Sequence, residues 1–175
     1  MRDTNVDRRL VEEFVHVGDE QPEVHVVGLS GREVVVLVER LNRLGATWDE
    51  RTFHLDAEGI DVTVSERPDV AELVVAGRAR HACVGADGII VGGVGLPTLS
   101  MLIYPDAIEF FWDPGPPWTE AHVGAFLALL TQLLDLAPEA ALRLDPSYST
   151  PRRQLLGRLV GDATGRPDRI DYGGE

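Results

Sequence analysis

The chain has 175 residues, 44% of them hydrophobic and 26% charged, which suits one globular domain that buries a core without disulfides or a structural metal. Its single cysteine, Cys83, excludes an internal disulfide framework and any multi-cysteine zinc module, and fits a reducing cytoplasmic setting. Against 29 acidic residues stand 16 basic ones, all arginine; the net charge of −13 disfavours nucleic acid and anionic membranes and favours a partner with a basic surface.

The use of arginine to the exclusion of lysine, with abundant Val, Ala and Gly, points to GC-rich bacterial coding rather than to a mechanism. The charge is uneven: residues 1–139 carry 10 Arg and 24 acidic residues, net −14, while residues 140–175 carry 6 Arg and 5 acidic residues, net +1. The N-terminus MRDTNVDRRLVEEF lacks the apolar core of a signal peptide. Of the two uncharged stretches, 88–105 is interrupted by Gly92, Gly93, Gly95 and Pro97, and 121–134 is too short to span a bilayer.

Val6, Leu10, Val11, Phe14 and Val17 predict a first helix over Asn5 to Val17, ended by the segment Gly18 to Pro22. Glu23 to Leu29 reads as a strand. Ser30-Gly-Arg-Glu33 has capping-box spacing ahead of a helix with Val34, Leu37, Val38, Leu41 and Leu44 in register, closed by Gly45. The β-branched run Val34 to Val38 leaves a strand open as the alternative there. Thr47 to Leu55 and Ile60 to Ser65 read as two strands about the turn Asp56-Ala-Glu-Gly59. Pro68 then opens a helix through Val70, Leu73 and Val74. Arg80 to Val84 and Ile89 to Val91 read as strands separated by a turn at Gly85-Ala-Asp-Gly88, and Gly92 to Gly95 as a flexible link or bulge.

The stretch 96–136 organises the chain. Alternation sets Ile108, Phe110 and Trp112 on one face, and a turn at Pro105-Asp106 pairs Ile103 with Ile108, Met101 with Phe110 and Leu99 with Trp112. All six are apolar, so that face is the expected core, while Ser100, Leu102, Tyr104, Glu109, Phe111 and Asp113 make the other. Proline at the first loop position disfavours the usual two-residue hairpin turn, so a longer loop is the alternative, and a slip of one residue would exchange the faces. Thr119 caps a helix with Glu120 in its first turn and an apolar stripe of Val123, Phe126, Leu127, Leu130, Leu133 and Leu134. Beyond Leu136, Pro138 to Leu144 reads as a turn of helix, Asp145 to Pro151 as a loop and Arg152 to Val160 as an amphipathic helix. The expected architecture is a single α+β domain over residues 1–160, its mostly antiparallel sheet covered by helices, with a loosely ordered polar tail at 161–175.

Functional signals are sparse. Gly28-Leu-Ser-Gly31 precedes a helix but matches neither phosphate-loop nor dinucleotide patterns, and Gly-x-Ser-x-Gly does not occur. His54-x-Asp56 and His81-x-Cys83 place two pairs on strands that could meet as metal ligands or as a catalytic cluster. Nothing in the sequence requires the meeting, so no metal and no cofactor is expected. Cys83, in the apolar run Ala82 to Val84, suits a buried structural thiol better than a nucleophile. The favoured interaction site is Tyr104, Glu109, Phe111 and Asp113 on the outer hairpin face, with Trp118 nearby, a mixture of aromatic anchors and charge; a tryptophan beside the rigid segment Pro114 to Pro117 that simply caps the core is the commoner case. The expectation is a non-enzymatic acidic protein that binds a basic partner protein, immunity- or inhibitor-like by analogy alone. An enzyme using the His54, Asp56, His81 and Cys83 region is the alternative.

Overall fold

The computed structural model describes residues 6–15, 22–113, 115, 117–144 and 149–172. In chain order these form α1 (Arg8–Val15), β1 (Glu23–Val27), α2 (Gly31–Arg43), β2 (Thr47–Trp48), β3 (Thr52–Leu55) and β4 (Ile60–Thr63). Then come α3 (Val70–Val75), β5 (Ala82–Asp87), β6 (Ile90–Val91), β7 (Val94–Gly95), β8 (Leu99–Ile103), β9 (Ala107–Phe111), α4 (Glu120–Leu136), β10 (Ala141–Leu144), α5 (Thr150–Thr164) and β11 (Ile170–Asp171). Seven strands make one sheet in the order β11-β10-β1-β9-β8-β5-β2, in which only the β10–β11 pair is parallel. The fold is α+β, as the pattern of strands and helices predicts.

The β8–β9 hairpin has the expected register, with Met101 opposite Phe110 and Ile103 opposite Ile108. Leu99, Met101, Ile103, Ile108, Phe110 and Trp112 are all buried. Despite the proline, the loop has only two residues: Tyr104 N–H donates to the Ala107 carbonyl at 2.9 Å, and the Asp106 carbonyl accepts the Leu29 N–H at 3.0 Å. No non-glycine among the described residues takes a positive φ, so this turn is made without the usual left-handed residues. The contact to Leu29 anchors it from outside the hairpin.

Helix α4 covers the inner face. Thr119 Oγ1 accepts the His122 N–H at 3.4 Å while His122 Nδ1 accepts the Thr119 N–H at 3.2 Å, a reciprocal cap with histidine in the glutamate position. Its apolar residues are buried on several sides because α1, α2, α5 and the β6–β7 hairpin all pack against it. At one end Phe14 stacks on Trp112 at 4.4 Å between ring centroids and lies 4.9 Å from Trp118, while Phe126 meets Trp112 edge-on at 5.3 Å. Helix α2 is helical throughout, with Ser30 and Glu33 forming both halves of the capping box and Gly45, at φ +94°, in the left-handed position after it. The tertiary environment has overridden the β-branched run Val34 to Val38.

Several expectations are corrected. Thr47 to Leu55 is two strands broken at Asp49 to Arg51, so that β2 joins the main sheet through β5 and β3 pairs with β4 alone. Gly85 to Asp87 continue β5 rather than turn, since they pair with β8 and β2. Gly92 and Gly93 are the tight turn of the β6–β7 hairpin, both at positive φ, not a loose link. Ala141 to Leu144, expected in a turn of helix, is a strand beside β1. The polar tail belongs to the fold through Tyr172: α5 extends to Thr164, and Ile170–Asp171 adds β11 to the sheet edge. Residues 5 and 16–17 of the first expected helix, 18–21 of the segment expected to end it, 145–148 of the expected loop and 173–175 of the tail lie outside the described residues.

Candidate interaction face

Alternation along β1, β8, β9 and β10 leaves a second face, opposite α4, whose side chains line up in rows across the strands. One row runs Cys83, Leu102, Glu109, His25, Arg143, Asp171. Its neighbour runs Gly85, Ser100, Phe111, Glu23. On the other side Tyr104, Ala107, Val27 and Ala141 form a third. Leu102, Tyr104, Phe111 and Val27 are half-buried here, whereas their neighbours along each strand are fully buried on the other side.

His25 is the most enclosed polar group of this face, 8% exposed. Its Nε2 lies 2.8 Å from Glu23 Oε1 and its Nδ1 3.7 Å from Glu109 Oε1, so one imidazole is held between two carboxylates. Next to it Arg143 Nε donates to Asp171 Oδ2 at 2.9 Å. Burial, followed by the charges of Glu109, Glu23 and Cys83, raises the Tyr104 hydroxyl above its ordinary value and keeps it protonated. His25, Tyr104, Glu109 and Arg143 line an open cleft of about 510 Å³, with Asp106 and Glu139 also in its wall.

At the β5 end of the same face an ion pair lies across the strand. Arg51 pairs through Nε with Asp49 Oδ2, donates through Nη2 to Ser100 Oγ at 2.9 Å, and points Nη1 at Cys83 Sγ, 3.6 Å away. Burial pushes the Asp49 carboxyl up, but the Gly85 N–H and Arg51 together outweigh it and hold it below the usual carboxylate value. A Cβ on Gly85 would overlap both the guanidinium and the carboxylate, so glycine is what lets the pair lie across the strand.

Of the predicted site residues, Tyr104, Glu109 and Phe111 share the open face, and Asp113 is exposed just beyond β9. Trp118 does not belong with them. It is 3% exposed in the cluster with Phe14, Trp112 and Phe126 on the inner side. His54, Asp56, His81 and Cys83 are brought around one open cleft of about 460 Å³, where β3 lies beside β5. In it His54 Nδ1 lies 2.8 Å from Asp61 Oδ1, and the His81 ring is 5.7 Å from that of Tyr104. No three His, Cys, Asp or Glu side chains among the described residues converge as metal ligands.

No sequence motif singles out Glu23, His25, Arg143 or Asp171. The alternation Glu23-Val-His25-Val placed the first two on one face, but their meeting with Glu109 required β1 to pair with β9. Arg143 is hidden in the sequence because good helix formers surround it and its strand forms only against β1. The fold and face define a single-domain α+β protein with one sheet face under helices and the other furnished with aromatic and acidic groups. No family model matches the chain, and neither a curated protein nor a solved structure is significantly similar to it. No helix among the described residues is long and apolar enough to cross a membrane.

Proposed function

We propose that this is a non-enzymatic binding protein whose open sheet face receives the basic surface of a partner protein, in the manner of an immunity or inhibitor protein by analogy. The carrying observation is the composition of that face. A merely solvated sheet face carries polar residues throughout, whereas here Tyr104, Phe111, Leu102 and Val27 remain beside Glu23, Glu109 and Asp113. Half-buried aromatic groups supply anchors that gain from full desolvation, and the carboxylates orient an incoming cation. Both sheet edges are two-residue strands, β2 and β11, which give little template for strand addition. That favours docking on the face.

The net charge of −13 would steer a basic partner at long range, and the effect weakens once salt reduces the Debye length to roughly 8–10 Å. Capture from the host with the wild-type chain, followed by kinetics on the captured protein, tests the proposal. Phe111→Ala should mainly raise the off-rate; Glu109→Gln with Asp113→Asn should mainly lower the on-rate and flatten its salt dependence. A partner whose kinetics ignore both changes while the variants stay folded binds elsewhere.

A second reading, an enzyme, rests on the cleft that gathers His54, Asp56, Asp61, His81 and Cys83. Elemental analysis of the purified protein discriminates: one equivalent of zinc or iron would favour this reading over the first.

A further inference from the structure

Resting on the reading of the open face as the seat of a basic partner, we propose that the cleft beside Tyr104 receives one arginine side chain of that partner. Its stem lies over a floor of small residues, and its guanidinium lies between the Tyr104 ring and the rim carboxylates of Asp106 and Glu139.

The shape comes from side-chain size. Across four strands the row runs Tyr104, Ala107, Val27, Ala141, so one aromatic ring is followed by three short side chains. All four are half-buried and line the open cleft of about 510 Å³. Along one side of this row stand the longer Glu109, His25 and Arg143. On its other side the strands end: the β8–β9 turn carries Asp106 and the α4–β10 connection carries Glu139. An apolar stem with a charged end fits such a trough, since it covers its methylenes against the floor and keeps its charge at the rim.

The charge of the lining calls for a cation. Among the described residues its acidic groups are Asp106, Glu109, Glu139 and Asp171, against the guanidinium of Arg143, which is bonded to Asp171. Asp106 and Glu139 are exposed, and neither side chain has a hydrogen-bond or ion-pair partner among the described residues. An incoming cation can therefore bond this rim pair without disturbing the interactions that hold His25, Glu109 and Asp171. The Tyr104 hydroxyl is raised by burial and then by the negative charges of Glu109 and Glu23, so the potential at the ring also favours a cation. Arginine suits the seat better than lysine. A planar guanidinium lies on an aromatic face while its edge bonds a carboxylate, whereas an ammonium satisfies the charge alone.

The seat also sets the spacing of the partner's groups. Phe111 lies four residues along β9 from Ala107, on the same face, which is roughly 13 Å at 3.3–3.4 Å per residue. A matching partner presents an arginine and an apolar patch at that separation.

The test uses the full chain and capped glycine-rich pentapeptides whose central residue is arginine, lysine or citrulline, the last an uncharged near-isostere of arginine. Two-dimensional NMR maps the site and measures affinities as weak as millimolar. The proposal is supported if the arginine peptide shifts the Gly28, Ala107 and Ala141 amides above all others, binds more tightly than the lysine peptide, and is not matched by citrulline. Asp106→Asn with Glu139→Gln should weaken arginine binding about tenfold, and Tyr104→Leu should abolish the preference for arginine over lysine. The rim side chains are exposed, so the double variant stays folded, with an unchanged denaturation midpoint as the control; should Tyr104→Leu fail to fold, the rim variant and the peptide series decide. Arginine-peptide shifts centred elsewhere, binding that survives the rim substitutions, or no binding at all overturns the seat. The basic-partner reading still stands in those cases if a partner captured from the host responds to Phe111→Ala. A captured partner whose kinetics ignore both Phe111→Ala and the rim variant overturns both. Equal binding of the lysine peptide in the cleft overturns the assignment to arginine.

Discussion

Strand β9 has two faces, five residues long between them, and they are built under opposite rules. Ile108 and Phe110 point inward, wholly buried, and with Trp112 just beyond the strand they meet α4 and the Phe14, Trp118 and Phe126 rings. Ala107, Glu109 and Phe111 point outward and are all half-buried, beside a histidine held by carboxylates and an arginine held by an aspartate. On the inner side free energy comes from excluded apolar area and ring packing, which leaves nothing for a partner. On the outer side, apolar groups and charges are placed together at partial exposure, where under the proposed function a second molecule would complete the desolvation.

Substitutions at matched aromatic positions should separate the two faces. Trp112→Ala removes a fully enclosed ring from the Phe14, Trp118 and Phe126 cluster and should cost about 3–5 kcal/mol in equilibrium denaturation. An unchanged midpoint would contradict the inner-face assignment. Trp112→Phe should cost clearly less, because it keeps a ring against Phe14 and gives up an indole N–H that has no hydrogen-bond partner among the described residues.

Gly85→Ala probes the β5 end of the outer face. Its added methyl must displace Arg51 and Asp49 side-chain ends rather than backbone, so the expected cost is about 1–2 kcal/mol, near the lower end for overpacking. The same change should alter the acid limb of the stability curve. The Asp49 carboxyl is held below its ordinary value in the folded chain, so its stabilisation is fully present above the unfolded value of about 4 and is lost as pH falls through the folded one. Wild-type stability should therefore fall as pH is lowered below about 4, and the fall should be shallower in Gly85→Ala and in Asp49→Asn. An acid limb unaffected by either variant would mean that the Asp49–Arg51 pair does not hold in solution.

Ser30→Ala removes one half of the α2 capping box and should cost about 1 kcal/mol. Glu33, whose carboxyl is held low by the Ser30 hydroxyl and then its N–H, would lose part of that support. The smallest effect on stability is expected at the outer face: Phe111→Ala should change the denaturation midpoint far less than Trp112→Ala, although the two aromatic residues are adjacent in sequence. Equal losses at both positions would show that the outer face is core.

The sequence by itself determined what depends on local period and short-range bonding. The β8–β9 register follows from alternation because a slip of one residue would put the three apolar side chains of the slipped strand outside. The caps at Ser30 and Thr119 are legible because each bond spans three residues. From that register, the company of Tyr104, Glu109 and Phe111 on one face follows directly. What only the tertiary structure decided depends on partners distant in the chain. Ala141-Leu-Arg-Leu144 contains good helix formers and is a strand because it lies against β1, over a hundred residues earlier. Trp118, beside the prolines, suits either a cap on the core or an interface anchor, and Phe14 and Phe126 make it core. His25 was one isolated histidine among five until pairing of β1 with β9 and β10 set it between Glu109 and Arg143. Periodicity assigns a side chain to a face, but non-local strand pairing decides which charges share that face and whether a helix covers it.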